Sequence, residues 1–177
     1  MMGLDRVRQD GLGRGPRPTR LLLLDRDGTL NRVLDRRPPN RPEQVALLPN
    51  VVATLAEYVA QGWRLVIISN QGGVAHGYLS EAQAWAVQRQ VIDLLGLPVA
   101  ASYLCPHMAN ARILRYRLDC PNRKPKPGFI IEAMRRFDAA PQDCLFVGDL
   151  DSDRQAARAA GVPFGRADAF FNRKAPA

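Results

Sequence analysis

The run Leu21-Leu22-Leu23-Leu24-Asp25-Arg26-Asp27-Gly28-Thr29-Leu30-Asn31 passes abruptly from four leucines to two carboxylates, a glycine and a hydroxyl. A short apolar run halted by acidic and glycine punctuation predicts a buried parallel strand that delivers polar groups at its carboxyl end. In open α/β sheets, ligands bind at that end. Two carboxylates held there repel each other unless a cation lies between them or one keeps a proton. Asp25 and Asp27 therefore point to Mg²⁺ binding, to nucleophilic chemistry, or to both. An Asp/Gly turn closing an ordinary strand uses the same residue types, so the rest of the chain has to discriminate.

Strand and helix signals alternate along it. A proline- and arginine-rich loop covers residues 32–48. Pro49-Asn50 then opens a helix with an apolar face of Val51, Val52, Leu55 and Val59, ending before Gly62. Trp63–Ile68 reads as a second strand, closing on Ser69-Asn70-Gln71-Gly72-Gly73. Ser80 with Gln83 three residues later forms a capping-box pattern, predicting a helix that runs to Leu95 before Gly96. A third strand is expected at Ala101–Leu104, followed by a long loop to about Lys126 and a helix near Pro127–Phe137. Leu145–Val147 and Val162–Phe164 read as further strands on either side of a helix at Asp151–Ala160. This alternation predicts a mostly parallel sheet with helices on both faces. Three of its strands then end in Asp25, Ser69 and Asp149 on one edge.

At 177 residues with 46% hydrophobic and 24% charged side chains, the chain reads as one globular domain. The expected division is a loose basic tail at 1–19, a domain at 20–170 and a short tail at 171–177. No apolar run approaches a membrane span and no hydrophobic signal region opens the chain. Three cysteines, an odd number, argue against a disulfide framework and for a reducing, cytoplasmic setting. The net charge is +8, of which the first twenty residues supply three. The remaining excess suits anionic ligands. Aromatic residues are sparse and not interleaved with the basic ones, which argues against a single-strand stacking platform.

Phosphoryl transfer needs a nucleophile, a metal to offset charge, donors on the phosphate oxygens and a proton source for the leaving group. Asp25 can attack phosphorus. Asp27 can protonate the departing alkoxide and later deprotonate water. Asp149, ending another strand, can join Asp25, Asp27 and a backbone carbonyl in an all-oxygen Mg²⁺ site. Ser69 can hydrogen-bond a phosphate oxygen, and Lys124, restrained by Pro125 and Pro127, can hold the phosphate as a point charge. Asp151 and Asp153 are expected chiefly to favour the N-terminus of the following helix.

The ordered motifs D-R-D-G-T-L-N (25–31), S-N-Q-G-G (69–73), R-K-P-K-P-G (123–128) and V-G-D-L-D-S-D (147–153) resemble the haloacid dehalogenase superfamily of phosphatases, subfamily IIIA. The likeness runs from about residue 20 to 165. It is closest to the capless branch whose members act on D-glycero-D-manno-heptose 1,7-bisphosphate or histidinol phosphate. The resemblance implies a Rossmann-like three-layer α/β/α sandwich with no large cap domain. It implies an aspartyl-phosphate on Asp25, Asp27 as acid/base, Asp149 on Mg²⁺, and Ser69 and Lys124 on the phosphate. Asn31, Asn70 and Arg123 fall where that branch contacts substrate. The implied partner is a small phosphate ester, a sugar bisphosphate first, handled by a monomer. Histidinol phosphate, a polynucleotide 3′-phosphate and a non-catalytic phosphate-binding role are the alternatives.

Cys105, His107 and Cys120 resemble the zinc loop of the same branch, but Asn122 stands where its fourth ligand would be. Structural zinc is almost always four-coordinate with nitrogen and sulfur ligands, so the resemblance supplies three of four. Cys144 reads as core. Leu150 stands where relatives often carry a basic residue, and His76 also departs from the heptose-type pattern. Arg112, Arg115 and Arg117 can serve a second anionic group or simply face solvent.

Overall fold

The four leucines lie in the middle strand of the sheet. The computed structural model describes residues 18–34 and 37–172, so most of the two expected tails lies outside the described residues. Strand β1 (Arg20–Leu24) is flanked on one side by β2 (Trp63–Asn70) and β3 (Val99–Cys105). On its other side lie β4 (Cys144–Gly148) and β5 (Phe164–Arg166). The order is β3-β2-β1-β4-β5 and every pairing is parallel. The carboxyl ends therefore share one edge.

Alternate leucines of β1 feed two different cores, which is why the strand is apolar throughout. Leu21 and Leu23 pack with Ile130 and Ala133 of α4 (Gly128–Phe137) and with Ala156 and Ala157 of α5 (Asp151–Ala159). Leu22 and Leu24 pack on the opposite face with Val51 and Leu55 of α1 (Val51–Ala60) and with Val91 and Leu95 of α3 (Glu81–Leu95). The α/β/α sandwich is thus present. The capping box starts α3: the Gln83 amide donates to Ser80 Oγ at 3.1 Å, and the Ser80 amide donates to Gln83 Oε1 at 2.7 Å.

Some expectations are corrected. Val52 is 40% exposed rather than part of the α1 core face; one step along a helix turns a side chain about 100° away from its neighbour. The fifth strand is Phe164–Arg166 rather than Val162–Phe164, because Val162 is buried in the core just ahead of it. Two short helices, α2 (Gly72–His76) and α6 (Ala167–Phe170), lack any sequence signal long enough to announce them. Phe171, expected to open a tail, is fully buried, and its carbonyl accepts from Asn50 Nδ2 at 3.0 Å. Among the described residues, no helix is long and apolar enough to cross a membrane.

Candidate active site

The edge where β1, β2 and β4 end is built around one buried ammonium. Lys124 Nζ lies 2.5 Å from Asp25 Oδ1 and 2.8 Å from Asp153 Oδ1, and it donates to the Ile68 carbonyl at 3.0 Å. Asp25 follows β1 directly, and its amide donates to the Val147 carbonyl of β4 at 2.9 Å. Asp25, Asp149 and Asp153 each present an oxygen within 4.8 Å of the others. Three carboxylates against one ammonium leave an excess of negative charge that suits a divalent cation with oxygen ligands. Burial pushes the Asp25 carboxyl up to about 7; Lys124 pulls it down and Asp153 pushes it up again. Burial, then Asp153, raises Asp149 as well. For Lys124, burial opposes the charge, but Asp25 and Asp153 outweigh it and hold the ammonium above its ordinary range.

Asp27 stands apart from that trio. Its carboxylate accepts from Arg26, at 2.9 and 2.7 Å from Nη2, from Asn31 Nδ2 at 3.0 Å and from Gln71 Nε2 at 2.7 Å. The Gln71 amide also donates to Ser69 Oγ at 2.7 Å, so one side chain ties the end of β2 to the turn after β1. Arg26 is completely buried and its Nη1 donates to Gln88 Oε1 of α3 at 3.2 Å. Both Asp27 carboxylate oxygens are thus engaged, and its side chain is not among the three carboxylates that cluster with Asp25.

Asp149 accepts from Thr29 Oγ1 at 3.1 Å. Gly28, at φ +83°, leaves room for it; a Cβ there would overlap the Asp149 carboxylate. The Asp149 carbonyl accepts from Arg166 Nη1 at 2.9 Å. Asn70 is spent on Lys124: its Nδ2 donates to the Lys124 carbonyl at 2.9 Å and its Oδ1 accepts the Lys124 amide at 3.2 Å. Arg123 has a buried Nη1 with no hydrogen-bond partner, and its other terminal nitrogen lies close to Gly72. A buried unpaired donor calls for an acceptor.

Cys105, His107 and Cys120 converge, each offering a ligand atom within 4.8 Å of the others. Burial pushes the Cys105 thiol up to about 11. Asn122 sets its amide oxygen against Gly128 at the start of α4. Cys144 is buried in the core, as its position in the sequence indicated.

Asp153 is the residue that sequence reasoning misplaced. It does accept from the Leu150 amide at 3.0 Å, as an acidic residue at a helix start would. Yet it is only 1% exposed and faces Lys124, whereas Asp151 stays in solvent beside Arg154. Only its contact with Lys124 sets it apart from Asp151. Gln88 was missed although the sequence carried a signal: it occupies the Ala84, Val91, Leu95 stripe of α3, where a polar side chain must find a buried partner.

The haloacid dehalogenase-like hydrolase family matches residues 36–161. A D-glycero-beta-D-manno-heptose-1,7-bisphosphate 7-phosphatase from Rhodopseudomonas palustris is 35% identical over 143 residues, covering 79% of this chain and 78% of the relative. The corresponding Haemophilus influenzae enzyme is 34% identical, covering 80% and 77%. Among solved structures, D,D-heptose 1,7-bisphosphate phosphatase from B. bronchiseptica, complexed with magnesium and phosphate, superposes with a TM-score of 0.72. It is 31% identical, covering 82% of this chain and 79% of that one.

Proposed function

Because the chain belongs to the haloacid dehalogenase-like hydrolases and is a phosphatase, we propose that it removes one phosphate from a sugar bisphosphate, with D-glycero-D-manno-heptose 1,7-bisphosphate as the leading substrate. The observation that carries this reading is the convergence of Asp25, Asp149 and Asp153 on Lys124 where three parallel strands end. The relatives' shared substrate supplies the sugar.

The all-oxygen trio of Asp25, Asp149 and Asp153 fits Mg²⁺ and would hold it. When bound, the ion offsets negative charge on the transferring phosphoryl group. Asp25 attacks phosphorus through a carboxylate oxygen, and the bond from phosphorus to the sugar oxygen breaks. Asp27 delivers a proton to that leaving oxygen, then takes one from the water that hydrolyses the aspartyl-phosphate. Arg26, Asn31 and Gln71 fix the direction of the Asp27 carboxylate. Lys124 and Ser69 donate to phosphate oxygens. Asn70 acts through Lys124 by pinning its main chain. Asn31 Oδ1 and Arg123 Nη1, both buried and unpaired, are left for the substrate.

Turnover of heptose bisphosphate, heptose 7-phosphate, histidinol phosphate and a 3′-phosphorylated oligonucleotide, each with and without Mg²⁺, tests the assignment. The bisphosphate is expected to give the highest kcat/KM, and only with Mg²⁺. A higher value for histidinol phosphate or the oligonucleotide overturns the sugar.

Cys105, His107 and Cys120 would hold zinc in the same reading, with water or another side chain as the fourth ligand. Protein prepared without chelators is expected to carry about one equivalent of zinc, lost in Cys120→Ser. Zinc below about a tenth of an equivalent removes the site.

A further inference from the structure

Beside the reaction centre lies a cavity of about 610 Å³ whose inner wall is Asn70 and Gln71. These are the residues that pin Lys124 and Asp27, so the cavity opens directly off the chemistry. Its outer wall includes Arg37, Pro38 and Tyr78. We propose that this cavity is the subsite for the second anionic group of the substrate, with Arg37 as its counter-charge and Tyr78 as a wall for the sugar. The inference rests on the sugar-bisphosphate reading and adds to it the residue that tells a bisphosphate from a monophosphate.

Charge points first to Arg37. No carboxylate lines the cavity, and among the described residues no acidic group pairs with this guanidinium. Arg123 also keeps an unpaired terminal nitrogen, but that atom is buried rather than open to the cavity; the remaining cations near the centre are engaged. Arg26 is held by Asp27, Lys124 by two carboxylates, and Arg166 by the Asp149 carbonyl and Asp168. Two arginines of the long loop are also placed elsewhere: Arg115 lies over the Tyr116 ring and Arg117 donates to the Ala111 carbonyl.

The main chain of Arg37 is tied to Leu34. Its amide donates to the Leu34 carbonyl and its carbonyl accepts from the Leu34 amide, both at 2.7 Å. Pro38 restricts the Arg37 backbone further. A planar guanidinium carried on this main-chain bridge suits two-point recognition of a phosphate. Tyr78 is 67% exposed on the cavity wall. An amphipathic ring left open there offers an apolar face to a sugar and a hydroxyl to its oxygens. The volume lies within the range of small-molecule sites.

Calorimetric titration tests the subsite without turnover, using Mg²⁺-loaded protein in an Asp25→Asn background. The probes are two matched pairs: heptose 1,7-bisphosphate with heptose 7-phosphate, and fructose 1,6-bisphosphate with fructose 6-phosphate. The readout is the affinity ratio within each pair. Without further change, the bisphosphate of at least one pair is expected to bind about tenfold or more tightly than its monophosphate. Arg37→Gln brings that ratio close to one, and Arg37→Lys recovers part of it. A ratio unaltered by Arg37→Gln, or no bisphosphate preference in either pair, overturns the subsite. Preference for the hexose pair that depends on Arg37 upholds the subsite while overturning heptose as the sugar. Preference for the heptose pair independent of Arg37 does the reverse.

Discussion

Asp25 sits between an ammonium that favours its charge and a second carboxylate that opposes it, in a site with almost no water to screen either. Burial raises it to about 7 against an ordinary value of 3.8. A carboxyl raised on folding holds its proton more tightly in the native state than in the unfolded one. Its contribution to stability is complete below about pH 4 and is lost as the pH climbs through about 7. The Asp149 shift has the same sign, and Lys124 remains charged across that window. Metal-free protein is therefore expected to lose stability in urea melts between about pH 4 and pH 7. Mg²⁺ is expected to remove most of the loss, and Asp25→Asn to flatten the dependence. A metal-free stability that rises over this interval contradicts the assignment.

Single residues differed in how far their type announced their place. Asp25 and Asp149 were legible because each directly follows an apolar strand, so that chain direction alone put them on one edge. Lys124 was legible because Pro125 and Pro127 restrain the segment that follows it. Asp153 was not, since an acidic residue in a first helical turn has an ordinary explanation in the helix dipole. Only the three-dimensional approach of α5 to Lys124 distinguishes it from Asp151.

The turn after β1 and the junction of β4 with α5 meet at a spacing that excludes even one methyl group. Gly28 adopts a left-handed φ of +83°, and a Cβ there would overlap the Asp149 carboxylate. At Gly148 a Cβ would lie 2.5 Å from Asp153 Oδ2. Gly28→Ala is thus expected to cost about 1–2 kcal/mol from the backbone alone. It should also push Asp149 out of line, cutting kcat/KM about tenfold or more. Parent-like kinetics for this variant would show that the close approach is dispensable. Element boundaries followed from the sequence wherever a cap or a strand-ending carboxylate marked them, as at Ser80, Gly96, Asp25 and Asp149. The α2 turn escaped because its glycines resemble a loop, and the start of β5 was misread because buried Val162 resembles a strand residue.

Taken as a molecule, the protein is a two-faced parallel sheet whose edge gathers residues more than a hundred positions apart. Asp25, Ser69, Lys124 and Asp149 owe their meeting to the order β3-β2-β1-β4-β5. The alternation of elements made that sheet legible, whereas the cavity around Arg37 was not, because only the folded chain brings residues 37–40 beside Gln71. The sheet holds the polar groups rigid, and the chemistry turns on the carboxylate at the end of its middle strand. The direct test is Mg²⁺-dependent phosphate release by Asp25→Asn set against the parent on the same ester. A fall of about a thousandfold or more with the fold intact is predicted. Release at the parent's rate would contradict the account at its centre.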